Sequence, residues 1–223
     1  MKVKFVVIGV HERDKIIEEM KEQAPHIEVF YDPVRNKNCL ARTLKVLNKE
    51  DVKDYTHICV MCDDLELCNN FEEIVSIMCE QFPEAIFSPY NSRLHFEDRK
   101  TTSPYILCKG GACYGQCIIV PTKYVSLIND WVARRCPPDY PHDDVAIGEF
   151  ANDNNIQMFA TIPCILQHKE PTNSTLKYNN KNKISKVYLG KNVPRIENWL
   201  DKNYSVKVVG NSKGMINELL KEN

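Results

Sequence analysis

Apolar runs of strand length alternate with helical-period segments through the first 90 residues. Val3 to Val10 is β-branched and reaches Gly9, the pattern of a buried first strand. Asp14 to Gln23 carries Ile16, Ile17 and Met20 at helical spacing. Ile27 to Tyr31 reads as a second strand, stopped by Asp32-Pro33. Asn38 is placed to cap a helix from Cys39 to Asn48, with Leu40, Leu44 and Leu47 on one face. His57 to Cys62 predicts a third strand, Phe71 to Gln81 a helix capped by Asn69 or Asn70, and Glu84 to Ser88 a fourth strand. Strands alternating with helices predict an α/β fold with an open, mostly parallel sheet covered on both faces.

From Asn91 to Gly115 the periodicity breaks, and loops with short strands are expected. Gln116 to Val120 predicts a strand and Thr122 to Arg134 a helix. After the Pro137 to Pro141 loop, His142 leads into a helix from Asp143 to Asn152, followed by a strand over Gln157 to Ile162. Lys169 to Pro194 is rich in Asn and Lys and predicts a flexible arm, with a last helix over Asn211 to Leu220. The expected division is a domain over residues 1–176, with halves meeting near residue 90, and a C-terminal basic arm and helix over 177–223.

Composition narrows the function classes. A chain of 223 residues that is 43% hydrophobic can build one sizeable core. A net charge of −1 argues against a dedicated DNA-binding protein, while leaving room for a local basic surface. No apolar run approaches the roughly 20 residues of a membrane span, and the first residues lack the pattern of a signal peptide. The ten cysteines are therefore expected as reduced thiols in a cytoplasm. Cys59-x-x-Cys62 and Cys113-x-x-x-Cys117 approach zinc-site spacing, but strand alternation sends Cys59 and Cys62 to opposite faces.

Four segments hold candidate chemistry. Asp63-Asp64 follows the apolar strand Val60-Met61-Cys62, where ligands of open α/β sheets bind. Adjacent carboxylates there call for a cation or donor hydrogen bonds, and a hard divalent ion fits; the alternative is a solvated acidic turn. Asp143-Asp144 opens a helix after a Pro-rich loop, as a general base or as ordinary capping and dipole chemistry. His168 ends the run from Ile162 and could ligate a metal on the same rim. Gly9-Val10-His11 ends the first strand where a ligand can approach the backbone, although neither G-x-G-x-x-G nor a P-loop is present.

Taken in order, these segments resemble GT-A-type glycosyltransferases, especially small bacterial and phage enzymes of family-2-like type. The resemblance rests on Asp63-Asp64-Leu65-Glu66-Leu67-Cys68 followed by Phe71, on Gly110 to Gly115 leading to Val120-Pro121, on Asp143 to Gly148, and on Pro163 to His168 followed by Ser174. It spans residues 3–176, and it departs from the family in the charged loop Lys169 to Ser174 and in lacking a strict D-x-D. It implies a GT-A-like fold and transfer of a sugar from a nucleotide-diphosphate donor, a UDP-sugar above all, to an acceptor hydroxyl. Asp64, with Asp63 beside it, would hold Mn²⁺ or Mg²⁺, and His168 would complete that site. Asp143 or Asp144 would be the base, which implies inversion. Gly9, Val10 and His11 would face the nucleotide base, and Arg35, Asn38 and Arg42 would contact the donor.

Two other classes stay open at this stage. A nucleotidyltransferase acting on a sugar phosphate would release pyrophosphate, and a non-enzymatic binding protein whose acidic pairs merely cap helices would show no manganese-dependent stabilisation by UDP. The acceptor is a saccharide, a protein or a small molecule, or a modified DNA base, since some phage transferases of this type act on DNA. Lys177, Lys181, Lys183, Lys186 and Lys191, with Tyr178 and Tyr188, give the pattern that tracks phosphates and stacks bases. A solvated arm closing over the donor is the preferred reading of the same stretch.

Overall fold

The computed structural model describes residues 1–32, 38–109, 114–169, 184–192 and 195–208. Strand β1 (Val3–Gly9) lies between β2 (Ile27–Tyr31) and β3 (His57–Cys62), parallel to both. Helix α1 (Asp14–Gln23) connects β1 to β2, and α2 (Cys39–Leu47) precedes β3. The short strand β4 (Leu65–Leu67) and helix α3 (Phe71–Gln81) follow, then β5 (Ile86–Phe87) and β6 (Tyr105–Lys109). Strand β7 (Cys117–Pro121) leads to α4 (Val125–Arg135), α5 (Asp143–Asp153), β8 (Met158–Thr161), β9 (Leu166–His168) and β10 (Ser205–Val208).

The main sheet has eight strands in the order β10-β6-β8-β5-β7-β3-β1-β2, and β4 pairs with β9 in a separate two-stranded ribbon. The pairings of β1 with β2 and β3, β5 with β8, and β6 with β10 are parallel. Strand β7 runs antiparallel to β3 and β5, and β6 antiparallel to β8. The architecture is the open mixed α/β sheet flanked by helices that the alternating pattern predicts.

Period-two alternation distributes the core. Phe5, Val7, Cys59 and Met61 pack with α1 and α3 on one face, and Val6, Ile58 and Val60 pack with α2, α4 and α5 on the other. Full burial of each large apolar side chain contributes about 1.5–3 kcal/mol. Cys59 is buried with its Sγ 3.6 Å from Cys117 Sγ, whereas the Cys62 Sγ lies 3.4 Å from the Gly115 carbonyl oxygen. All nine described cysteines are free thiols.

The differences from expectation are local. The fourth predicted strand shrinks to Ile86–Phe87, and α4 begins after a 3-10 turn over Thr122–Tyr124. Part of the stretch expected as a C-terminal arm is built into the fold. Trp199 is fully buried, its carbonyl accepts from the Tyr105 hydroxyl at 2.9 Å, and β10 extends the sheet beside β6. The Tyr188 hydroxyl donates to Glu66 at 2.9 Å, and its partly buried ring packs against the cluster that holds Cys164 and Val187. Lys186 and Lys191 are exposed. Lys177, Tyr178, Lys181, Lys183, Ser174, Gly110, Gly111 and the expected helix over 211–220 lie outside the described residues. No helix among the described residues is long and apolar enough to cross a membrane.

Candidate functional site

The parallel register sets Ile8 beside Cys62, so the residues after β1 and β3 emerge next to each other at one rim of the sheet. Strand β7 runs the other way, with Cys117 opposite Met61, which brings Gly115 and Gln116 to the same rim. Helix α5 starts there as well, after a loop whose Pro141 carbonyl accepts from the Leu40 amide at 3.2 Å. The result is a cleft lined by Val10, Arg13, Arg42, Gln116 and His168 together with Asp63, Asp64, Asp143 and Asp144.

On one wall stand the strand-end aspartates, each only 5% exposed. Asp63 accepts from the Val10 amide at 2.8 Å and from the Arg13 guanidinium. The same Arg13 Nη1 lies 3.1 Å from Asp64 Oδ2, and His168 Nε2 lies 3.3 Å from that oxygen. The register of the β4–β9 ribbon fixes His168 there, opposite Leu65, and the Lys169 amide donates to the Asp64 carbonyl at 2.8 Å. Burial raises the Asp63 pKa above its ordinary value; Arg13 opposes the shift and Asp64 adds to it.

On the facing wall, Asp143 is held by neutral donors. The buried Thr43 hydroxyl donates to its Oδ2 at 2.7 Å, and the Asp144 amide donates to its Oδ1 at 2.9 Å. A Cβ on Gly115 would stand 2.8 Å from Asp143 Oδ1, so glycine is what lets the loop before β7 close on this carboxylate. Burial, with repulsion from Asp144, raises the Asp143 pKa to about 6, against the Thr43 hydrogen bond. Asp144 Oδ1 accepts from the Val145 amide at 2.9 Å.

Three polar atoms of the cleft lining are buried without a hydrogen-bond partner among the described residues: Arg42 Nε, Gln116 Oε1 and His168 Nδ1. Each such orphan costs about 1–3 kcal/mol in a finished core. Their convergence on one cleft is the pattern of a site completed by a polar ligand or ordered water.

Several expected contributors stand elsewhere. Gly9 has a packing reason, since a Cβ there would meet Ile17 Cδ1 at 2.8 Å and Val29 Cγ1 at 3.1 Å. The His11 ring stacks on Tyr31 at 4.1 Å with its side chain 71% exposed, and does not line the cleft. The Asn38 side chain caps α2 by accepting from the Ala41 amide at 2.8 Å. Arg35 lies outside the described residues. Sequence reasoning did not single out Thr43, named Gly115 only as the end of the glycine-rich stretch from Gly110, and gave Arg13 no role of its own. The only available signal was a cation, a hydroxyl and a glycine near strand ends.

No protein-family model matches the chain, and no curated protein matches it significantly. Solved structures with a related arrangement include A197 from STIV, at 12% identity and a TM-score of 0.45, covering 75% of this chain and 84% of that one. They also include a mutant Drosophila beta-1,4-galactosyltransferase 7 in complex with manganese, UDP-Gal and xylobiose, at 11% identity and a TM-score of 0.46, covering 91% and 81%. A cytidylyltransferase from Leptospira borgpetersenii has 15% identity and a TM-score of 0.37, covering 98% and 75%. Likenesses this distant assign no role to any residue.

Proposed function

We propose that the cleft transfers a sugar from a nucleotide-diphosphate donor to an acceptor hydroxyl, with a divalent cation at Asp64. The observation that carries this reading is one cleft in which a buried carboxylate pair with an imidazole faces a second buried carboxylate held by the Thr43 hydroxyl and the Asp144 amide. Charge balance supports it. Among the described residues four aspartates and two arginines line the cleft, an excess of negative charge that would repel a diphosphate entering alone.

The donor set fits Mn²⁺ or Mg²⁺ in part. Asp64 offers a hard oxygen and His168 an imidazole nitrogen, 3.3 Å apart. Among the described residues no three such side chains converge to hold a metal, so phosphate oxygens and water would supply the remaining ligands. Bound there, the cation would neutralise charge developing on the departing diphosphate. In the transfer, the bond between the sugar's anomeric carbon and the diphosphate oxygen breaks, and that oxygen keeps the electron pair. The acceptor oxygen forms the new bond and gives its proton to the Asp143–Asp144 pair. Thr43 and the Asp144 amide hold Asp143 still for that role. A base facing the leaving group gives inversion.

The test is a panel of nucleotide sugars incubated with the protein and Mn²⁺. Release of nucleoside diphosphate from at least one of them, abolished by chelation, is the expected result. Release of pyrophosphate from a sugar phosphate and a nucleoside triphosphate would move the site to nucleotidyl transfer. Turnover of neither substrate class would contradict an enzymatic reading. DNA enters the panel as one acceptor beside saccharides and proteins.

A further inference from the structure

Arg13 stands where a cation would have to act. Its guanidinium bonds Asp63 and lies 3.1 Å from Asp64 Oδ2, the oxygen also closest to His168. Both carboxylates are 5% exposed and the Arg13 side chain is 13% exposed, so the pairing is made with little water to screen it. Arg13 sits at the N-terminal cap position of α1 and lines the cleft, so its guanidinium can turn toward a ligand there with the helix in place. His168, 6% exposed, lines the same cleft with Nδ1 unpartnered, an independent mark of incomplete coordination.

We propose that Arg13 is a built-in counter-ion that passes from the Asp63–Asp64 pair to the donor's diphosphate, making cation and diphosphate binding depend on each other. The proposal rests on the reading of the cleft as a nucleotide-sugar site. A cation arriving alone must compete with a guanidinium already on Asp64. A diphosphate arriving alone meets the excess of carboxylates. Arriving together, the diphosphate takes the guanidinium and the cation takes the carboxylate, and every charge finds an opposite. Such reciprocal coupling is typically about 5–150-fold in affinity, and it must be the same in both directions.

The experiment titrates Mn²⁺ by the loss of its free-ion EPR signal, with and without UDP, and separately with inorganic pyrophosphate or uridine. In the wild-type protein, UDP and pyrophosphate should each raise Mn²⁺ affinity and uridine should not. In Arg13→Gln, Mn²⁺ alone should bind several-fold more tightly, and the enhancement by UDP should shrink. Removing Arg13 takes the guanidinium from two buried carboxylates, so Arg13→Lys serves as the variant that keeps the charge and the fold; it should lose part of the enhancement. Circular dichroism checks that each variant is folded. If both variants are folded and show wild-type Mn²⁺ affinity and wild-type enhancement, the Arg13 proposal is overturned while the nucleotide-sugar reading stands. If the wild-type protein binds neither Mn²⁺ nor UDP, both fall.

Discussion

The chain contains two adjacent aspartate pairs, and the fold treats them oppositely. Asp63–Asp64 leaves the end of β3 and meets a guanidinium, an imidazole and the Val10 amide. Asp143–Asp144 opens α5, where Asp143 accepts from the Thr43 hydroxyl and the Asp144 amide, and Asp144 from the Val145 amide. Arg13 therefore opposes the upward shift at Asp63, while at Asp143 burial and repulsion carry the pKa to about 6. In the proposed reaction identical dipeptides would do different work: the first would hold positive charge, and the second would take up a proton.

The comparison breaks most sharply at Asp64. Asp64→Ala should reduce sugar transfer to background and remove Mn²⁺ binding, because His168 is left as a single protein donor; circular dichroism should show an intact fold. Undiminished turnover in a folded variant would end the cation assignment.

Asp143→Asn should lower turnover about 10²-fold or more, the scale of losing a general base. It should also stabilise the protein at pH 7. The native-state pKa of Asp143 is raised above 3.8, so its favourable contribution is present below about pH 4 and lost as pH rises through about 6. At pH 7 the wild type thus carries a buried charge at a cost on the order of 1–3 kcal/mol. Asparagine removes that charge, and thermal denaturation should show a Tm higher by a few degrees. If the Asp143 charge served only the dipole at the start of α5, the same substitution would lower Tm.

The smallest expected effect is at Thr43. Its hydroxyl favours the ionised Asp143, so Thr43→Val should raise the Asp143 pKa further. The acidic limb of the pH–rate profile should move to higher pH, with a several-fold loss at pH 6 and little change at pH 8. An unmoved limb would detach Thr43 from the chemistry.

Much of the frame of this site is legible in the sequence, because local rules carry it. The apolar run His57 to Cys62 ending in two aspartates places Asp63 and Asp64 at a strand rim, and the helical pattern after Pro141 places Asp143 and Asp144 at a helix start. What the sequence hides is who meets whom across distance. Arg13 reaches Asp63 over 50 positions because β1 and β3 are in parallel register, and Thr43 reaches Asp143 over 100 because α2 packs on α5. Gly9 serves the packing of Ile17 and Val29, and His11 caps a surface stack with Tyr31. Strand β10 has only four residues, and pairing with β6 across about a hundred positions leaves no periodic mark to read.

The most direct test of the division of labour is Mn²⁺ binding in the presence of UDP, measured by EPR on the wild type, Asp64→Ala and Asp143→Asn, beside turnover of the same three proteins. The account predicts that both variants lose turnover and only Asp64→Ala loses the metal. Equal metal binding by the two variants, whether both retain it or both lose it, would contradict the assignment of different roles to the two aspartate pairs.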